Sequence, residues 1–126
     1  MATVLIIDDD PAIRDVFSQF LENNGYSVET AAEGKEGLMK MRQLTPDLII
    51  TDIIMPGMDG LEVLQHIRNY SRDVPVIAIS GGMKTSAINF LPLAKRFGAC
   101  KSLKKPVAQD ALLQAVKELL PSSAKG

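Results

Sequence analysis

Apolar residues fall along this chain in short blocks whose period switches between continuous and helical. Val4-Leu5-Ile6-Ile7 is a β-branched-rich run, the pattern of a strand buried on both faces. Asp10 and Pro11 then read as an N-cap and a first helical residue. Ile13, Val16, Phe17, Phe20 and Leu21 recur at i, i+3, i+4, i+7 and i+8, one apolar helix face, and Asn24-Gly25 ends it. Tyr26 to Thr30 is a weaker strand. Gly34 to Leu44 reads as a helix with Leu38, Met41 and Leu44 inward, weakened by Gly37 and ended before Pro46.

The alternation continues. Leu48-Ile49-Ile50 is a strand, Gly60 to Asn69 a helix with Val63, Leu64 and Ile67 on one face, and Val76 to Ile79 a strand. Phe90, Leu93, Ala94 and Phe97 repeat with helical spacing, and Gly98 closes that helix. Pro92 is tolerable only in a first turn, so the helix is expected to start near Asn89, after a long loop from Gly81 to Ile88. Ala99 to Leu103 is a fifth strand, less apolar and so expected at an edge. Ala111 to Leu120 is a last helix, followed by a tail from Pro121 to Gly126. Five strands alternating with five helices predict a parallel sheet covered on both faces, and right-handed crossovers make it a doubly wound (βα)5 sandwich. Ligands in such folds sit at the carboxyl ends of the strands, near the switch point of strand order.

Composition changes little in this picture. A length of 126 residues suits one domain, here 1–120 with 121–126 as a flexible tail, and 46% hydrophobic and 23% charged residues are ordinary for a globular chain. A net charge of -1 argues against nucleic-acid binding by bulk charge. No run of eighteen apolar residues suggests a membrane span, and no signal peptide is recognisable at the N-terminus. One cysteine, Cys100, makes no internal disulfide, so the expected location is cytoplasmic.

The polar residues cluster where the fold would put a ligand. Asp8, Asp9 and Asp10 follow the first strand, Thr51-Asp52 ends the third, Ser80 ends the fourth, and Lys104-Lys105-Pro106 follows the fifth. If the first and third strands are neighbours, Asp8 or Asp9 meets Asp52. Clustered carboxylates repel unless a cation sits among them, and oxygen-only ligands suit Mg2+. Such a site fits an aspartyl phosphate: phosphoryl transfer rests on positioning and charge neutralisation, which a lysine ammonium and a hydroxyl can assist.

The stretches Leu5 to Pro11, Asp47 to Gly60 (with Asp52 before Met55-Pro56-Gly57-Met58-Asp59-Gly60), Ala78 to Gly81 and Lys105-Pro106 together resemble the receiver domain of two-component response regulators, over essentially the whole chain. The resemblance implies a flavodoxin-like strand order 2-1-3-4-5. It implies that Asp52 is the phospho-acceptor, that Asp9 binds Mg2+ directly and Asp8 mainly through water, and that the Ile54 carbonyl is a further metal contact. It makes Ser80 the switch hydroxyl and Lys105 the phosphate-contacting lysine. It also implies a sensor histidine kinase or histidine phosphotransfer protein as phosphoryl donor, a downstream target protein, and self-dephosphorylation: a signalling switch, not a turnover enzyme.

Two departures from the family pattern stand out. Ser102 occupies the fifth-strand position where the family usually has Tyr or Phe. The stretch from Ser80 to Lys105 is longer than common, with Gly81-Gly82 at its start. The expectation is that this flexible pair, in place of an aromatic side chain, carries the signal to the Asn89–Phe97 helix. Ser80 retains a plain turn role as a competing reading. No output domain follows, so the chain either acts alone as a stand-alone receiver or is a piece of a longer regulator. His66 and Cys100 are read as non-site residues. An aspartate-nucleophile phosphatase is disfavoured because it would place its nucleophile on the first strand, and a phosphorylation-independent interaction module because none of the site residues is lost.

Overall fold

In the computed structural model the described residues are 2–52, 60–80 and 99–120, with Gly60, Leu61 and Ser80 described by their main chain only. The elements are β1 (Thr3–Ile7), α1 (Pro11–Asn23), β2 (Ser27–Ala31), α2 (Gly34–Leu44), β3 (Leu48–Asp52), α3 (Gly60–Tyr70), β4 (Val76–Ser80), β5 (Lys101–Lys104) and α4 (Gln109–Leu119). The strands pair in parallel in the order β2-β1-β3-β4-β5. This is the expected doubly wound sheet, with the least apolar strand, β5, at an edge. The helix expected over Asn89–Phe97, the loop before it and the tail after Leu120 lie outside the described residues.

Period-two alternation divides each central strand between two cores. Leu5, Ile7, Ile49, Val76 and Ala78 pack with Leu38 and Met41 of α2 and Val63, Leu64 and Ile67 of α3. Val4, Ile6, Leu48, Ile50, Ile77 and Ile79 pack on the opposite face with Phe17 and Leu21 of α1 and Leu112, Ala115 and Val116 of α4. Strands buried on both faces need no polar alternation, which is why their sequences read as unbroken apolar runs.

Helix ends follow local chemistry. The Asp10 carboxylate accepts from the Ala12 N–H at 2.9 Å and caps α1, with Pro11 as the first helical residue. Asn24 caps the far end, and Gly25 takes φ 94°, a conformation open to glycine at little cost. Two inward assignments are corrected. Val16 is 48% exposed and Leu44 38% exposed. Both lie on the margin of their apolar stripe, and each helix buries a narrower arc than its periodicity covers. No described helix is long and apolar enough to cross a membrane.

Gly37 also reads differently in three dimensions. It is buried in α2 directly over β1, and a Cβ there would lie 2.6 Å from Ile7 Cγ1 and 3.2 Å from Ile7 Cγ2. The glycine that weakens the isolated helix lets α2 approach the sheet. Alanine ordinarily gains ~1 kcal/mol over glycine inside a helix. Here it collides with a side chain that is itself fully packed, at a cost of ~1–3 kcal/mol. Gly37→Ala is therefore expected to lower the thermal midpoint, and a rise would show that Ile7 yields freely.

Candidate functional site

Strand register assembles the site. In the β1–β3 ladder Ile7 pairs with Thr51, so the next residues, Asp8 and Asp52, meet at the carboxyl edge. Asp52 in turn pairs with Ile79, and Ser80 with Lys104, which brings Lys105 to the same edge. The chain winds outward from β1 to β2 on one side and through β3, β4 and β5 on the other, so the Asp8–Asp52 junction is the switch point of the sheet.

One carboxylate oxygen each of Asp8, Asp9 and Asp52 lies within 4.8 Å of the others. Asp8 and Asp52 are buried, at 2% and 3% exposure, and Asp9 is exposed. The Lys105 ammonium donates to Asp52 Oδ2 at 3.0 Å and stands 3.2 Å from Asp8 Oδ2. Burial pushes the Asp8 carboxyl above its ordinary pKa, although the Asp10 N–H on Oδ1 (2.9 Å) and Lys105 both favour its charged form. Burial also opposes the charge on Lys105, but the hydrogen bond and charge of Asp52, then those of Asp8, outweigh it and raise the lysine pKa. Three carboxylates and one ammonium leave an excess of negative charge in an oxygen-only donor set. That set suits a hard divalent cation such as Mg2+, which takes one or two carboxylates and completes its shell with water.

Asp8, Asp9, Asp52 and Lys105, singled out in the sequence, thus converge in space. Ser80 ends β4 at the same edge by its main chain. Its hydroxyl, Ile54, Gly81 and Gly82 lie outside what is described. Ser102 is half-buried on β5 and borders an open cleft against α4, beside Ala111 and Ala115. A contact invisible to spacing is made by Arg14, whose Nη1 donates to the Asp8 carbonyl at 2.7 Å. A clue was available: an arginine one turn into a helix that follows an acidic loop is long enough to fold back onto it.

A family model for the response regulator receiver domain matches residues 4–117. The probable C4-dicarboxylate response regulator DctR of Halalkalibacterium halodurans is 39% identical over 117 residues, covering 91% of this chain and 50% of DctR. Response regulator MprA of Mycolicibacterium vanbaalenii is 34% identical over 117 residues, 93% of this chain and 49% of that protein. The chain spans about half the length of these curated relatives. Among solved structures, a receiver domain protein from Clostridium thermocellum aligns with a TM-score of 0.88 at 30% identity, over 95% of this chain and 94% of that one. The chemotaxis protein CheY4 of Vibrio cholerae aligns with a TM-score of 0.84 at 35% identity, over 95% and 99%. Sequence, strand order and acidic edge agree: this chain belongs to the response regulator receiver domains of two-component systems.

Proposed function

We propose that this domain is a phospho-acceptor switch in which Asp52 receives a phosphoryl group from a phosphohistidine of a sensor kinase or phosphotransfer protein. The observation that carries the reading is the convergence of Asp8, Asp9 and Asp52 within 4.8 Å of one another, with the Lys105 ammonium on Asp52 and Asp8. Asp52 ends the central strand and supplies the attacking carboxylate oxygen. Asp9 and Asp52, with Asp8 acting mainly through water, would hold Mg2+, which when bound neutralises charge on the transferring group. Lys105, already on Asp52, is placed to follow the charge onto a phosphoryl oxygen. Ser80, and the Gly81-Gly82 pair after it, would register the new group and change the surface offered to a target protein. Hydrolysis of the acyl phosphate resets the switch. The domain signals rather than turning over a substrate.

The test is intact mass after incubation with acetyl phosphate, with and without Mg2+, for the parent and Asp52→Asn. The expected result is a Mg2+-dependent gain of one phosphoryl group that the variant lacks. A parent that gains nothing and is also silent in a beryllofluoride and Mg2+ titration would instead be an interaction module that kept the fold.

A further inference from the structure

We infer that Arg14 is the positioning residue that aims the Asp9 carboxylate at the cation, an inference that rests on reading the acidic cluster as a Mg2+ site. Arg14 grips the β1–α1 turn at two points. Its backbone N–H donates to the Asp10 carbonyl at 3.1 Å, and its Nη1 donates to the Asp8 carbonyl at 2.7 Å. The Asp8 carbonyl belongs to the peptide unit that joins Asp8 to Asp9. That unit is planar, so holding its oxygen fixes the plane from which Asp9 departs.

Asp8 does not depend on this grip alone. Its N–H donates to the Ala31 carbonyl at 3.1 Å, its Oδ1 accepts from the Asp10 N–H, and its Oδ2 faces Lys105. Asp9 differs. It is exposed, and its carboxylate makes no hydrogen bond or ion pair among the described residues. Its direction therefore comes from the backbone, and the backbone at that point is held by a charge-assisted bond from Arg14. Partners one step removed from a metal commonly set ligand orientation, and their loss weakens metal affinity by roughly 10–100-fold.

The test titrates MgCl2 into the full chain by calorimetry, for the parent, Arg14→Met and Arg14→Lys. It adds thermal midpoints without metal and acetyl phosphate rates across Mg2+ concentration. The expected result is Mg2+ binding weakened roughly tenfold in Arg14→Met, with the rate at saturating Mg2+ preserved. Arg14→Lys, which keeps one donor within reach of the Asp8 carbonyl, should recover most of the affinity. Equal Mg2+ affinity in parent and Arg14→Met would overturn the role of Arg14 and leave the metal site standing. A fall in the saturated rate with unchanged affinity would also overturn it, because Arg14 would then act on the chemistry itself. A parent that takes up no Mg2+ removes the metal reading and this inference together. If Arg14→Met fails to fold, Arg14→Gln replaces it, and failure of both would assign Arg14 to the fold and not to the site.

Discussion

Asp8→Asn is expected to raise stability in the absence of divalent cations and at the same time to diminish the stabilisation that Mg2+ confers. Asp8 is buried beside two further carboxylates, and burial raises its pKa above the ordinary value of 3.8. A carboxyl whose pKa rises on folding contributes stability that is complete below its unfolded pKa and declines as pH rises through the folded value. At neutral pH the ionised group therefore works against the fold. Asparagine removes that charge, still accepts from the Asp10 N–H, and leaves Lys105 paired with Asp52. The net gain should be on the order of 1 kcal/mol, or ~4 °C in thermal midpoint for a domain of this size. It should vanish near pH 4 and grow toward pH 7.

Mg2+ at the proposed site is expected to have the opposite effect. A cation at 100 times its Kd stabilises the parent by about 2.7 kcal/mol. A tenfold or greater loss of affinity leaves the variant about 1.4 kcal/mol or less at the same concentration. Melting curves of both proteins across pH, with and without Mg2+, measure the two shifts. A variant less stable than the parent without metal would mean that Asp8 contributes more through Lys105 and Asp10 than its burial costs.

Ile50→Ala is expected to cost about 3–4 kcal/mol, a large share of the 5–15 kcal/mol that holds a typical domain together. Ile50 lies on the central strand, flanked by β1 and β4, and is buried among Val4, Ile6, Phe17, Leu21, Ile77 and Leu112. Rigid strands on both sides limit the collapse that would fill the cavity. Ile50 also shares a sheet face with Asp52 two residues on, so loosening it should disturb the proposed acceptor. Urea unfolding should show a lower midpoint with an unchanged slope. Met39→Ala, at a residue 54% exposed, should stay within about 0.5 kcal/mol under the same conditions. Similar losses at both positions would mean that the two-sided core does not dominate stability.

The strands and helices were legible because burial on two faces imposes apolar runs and burial on one imposes a helical period. Boundaries were less so. β3 extends through Thr51 and Asp52, polar residues that continue the ladder because main-chain pairing ignores side-chain polarity. α4 begins at Gln109, two residues before its first apolar position, since a helix starts where its hydrogen bonds can form. Val16 and Leu44 were placed inward by period alone, which says where a stripe lies but not how much of it a neighbour covers.

The amino-acid order by itself determined the alternation of elements, the two-sided sheet and the edge at which the acidic residues and Lys105 gather. Each follows from local periodicity and the handedness of crossovers. Only the tertiary structure decided what depends on contacts between distant segments. Register set Asp8 opposite Asp52. Burial pushed the Asp8 carboxyl above its ordinary pKa, while Asp9 stayed exposed. Close packing turned Gly37 from a weak point of a helix into its seat on Ile7. A side chain six residues away holds the Asp8 carbonyl. These are properties of distance and desolvation, and a sequence carries neither until the chain has closed on itself.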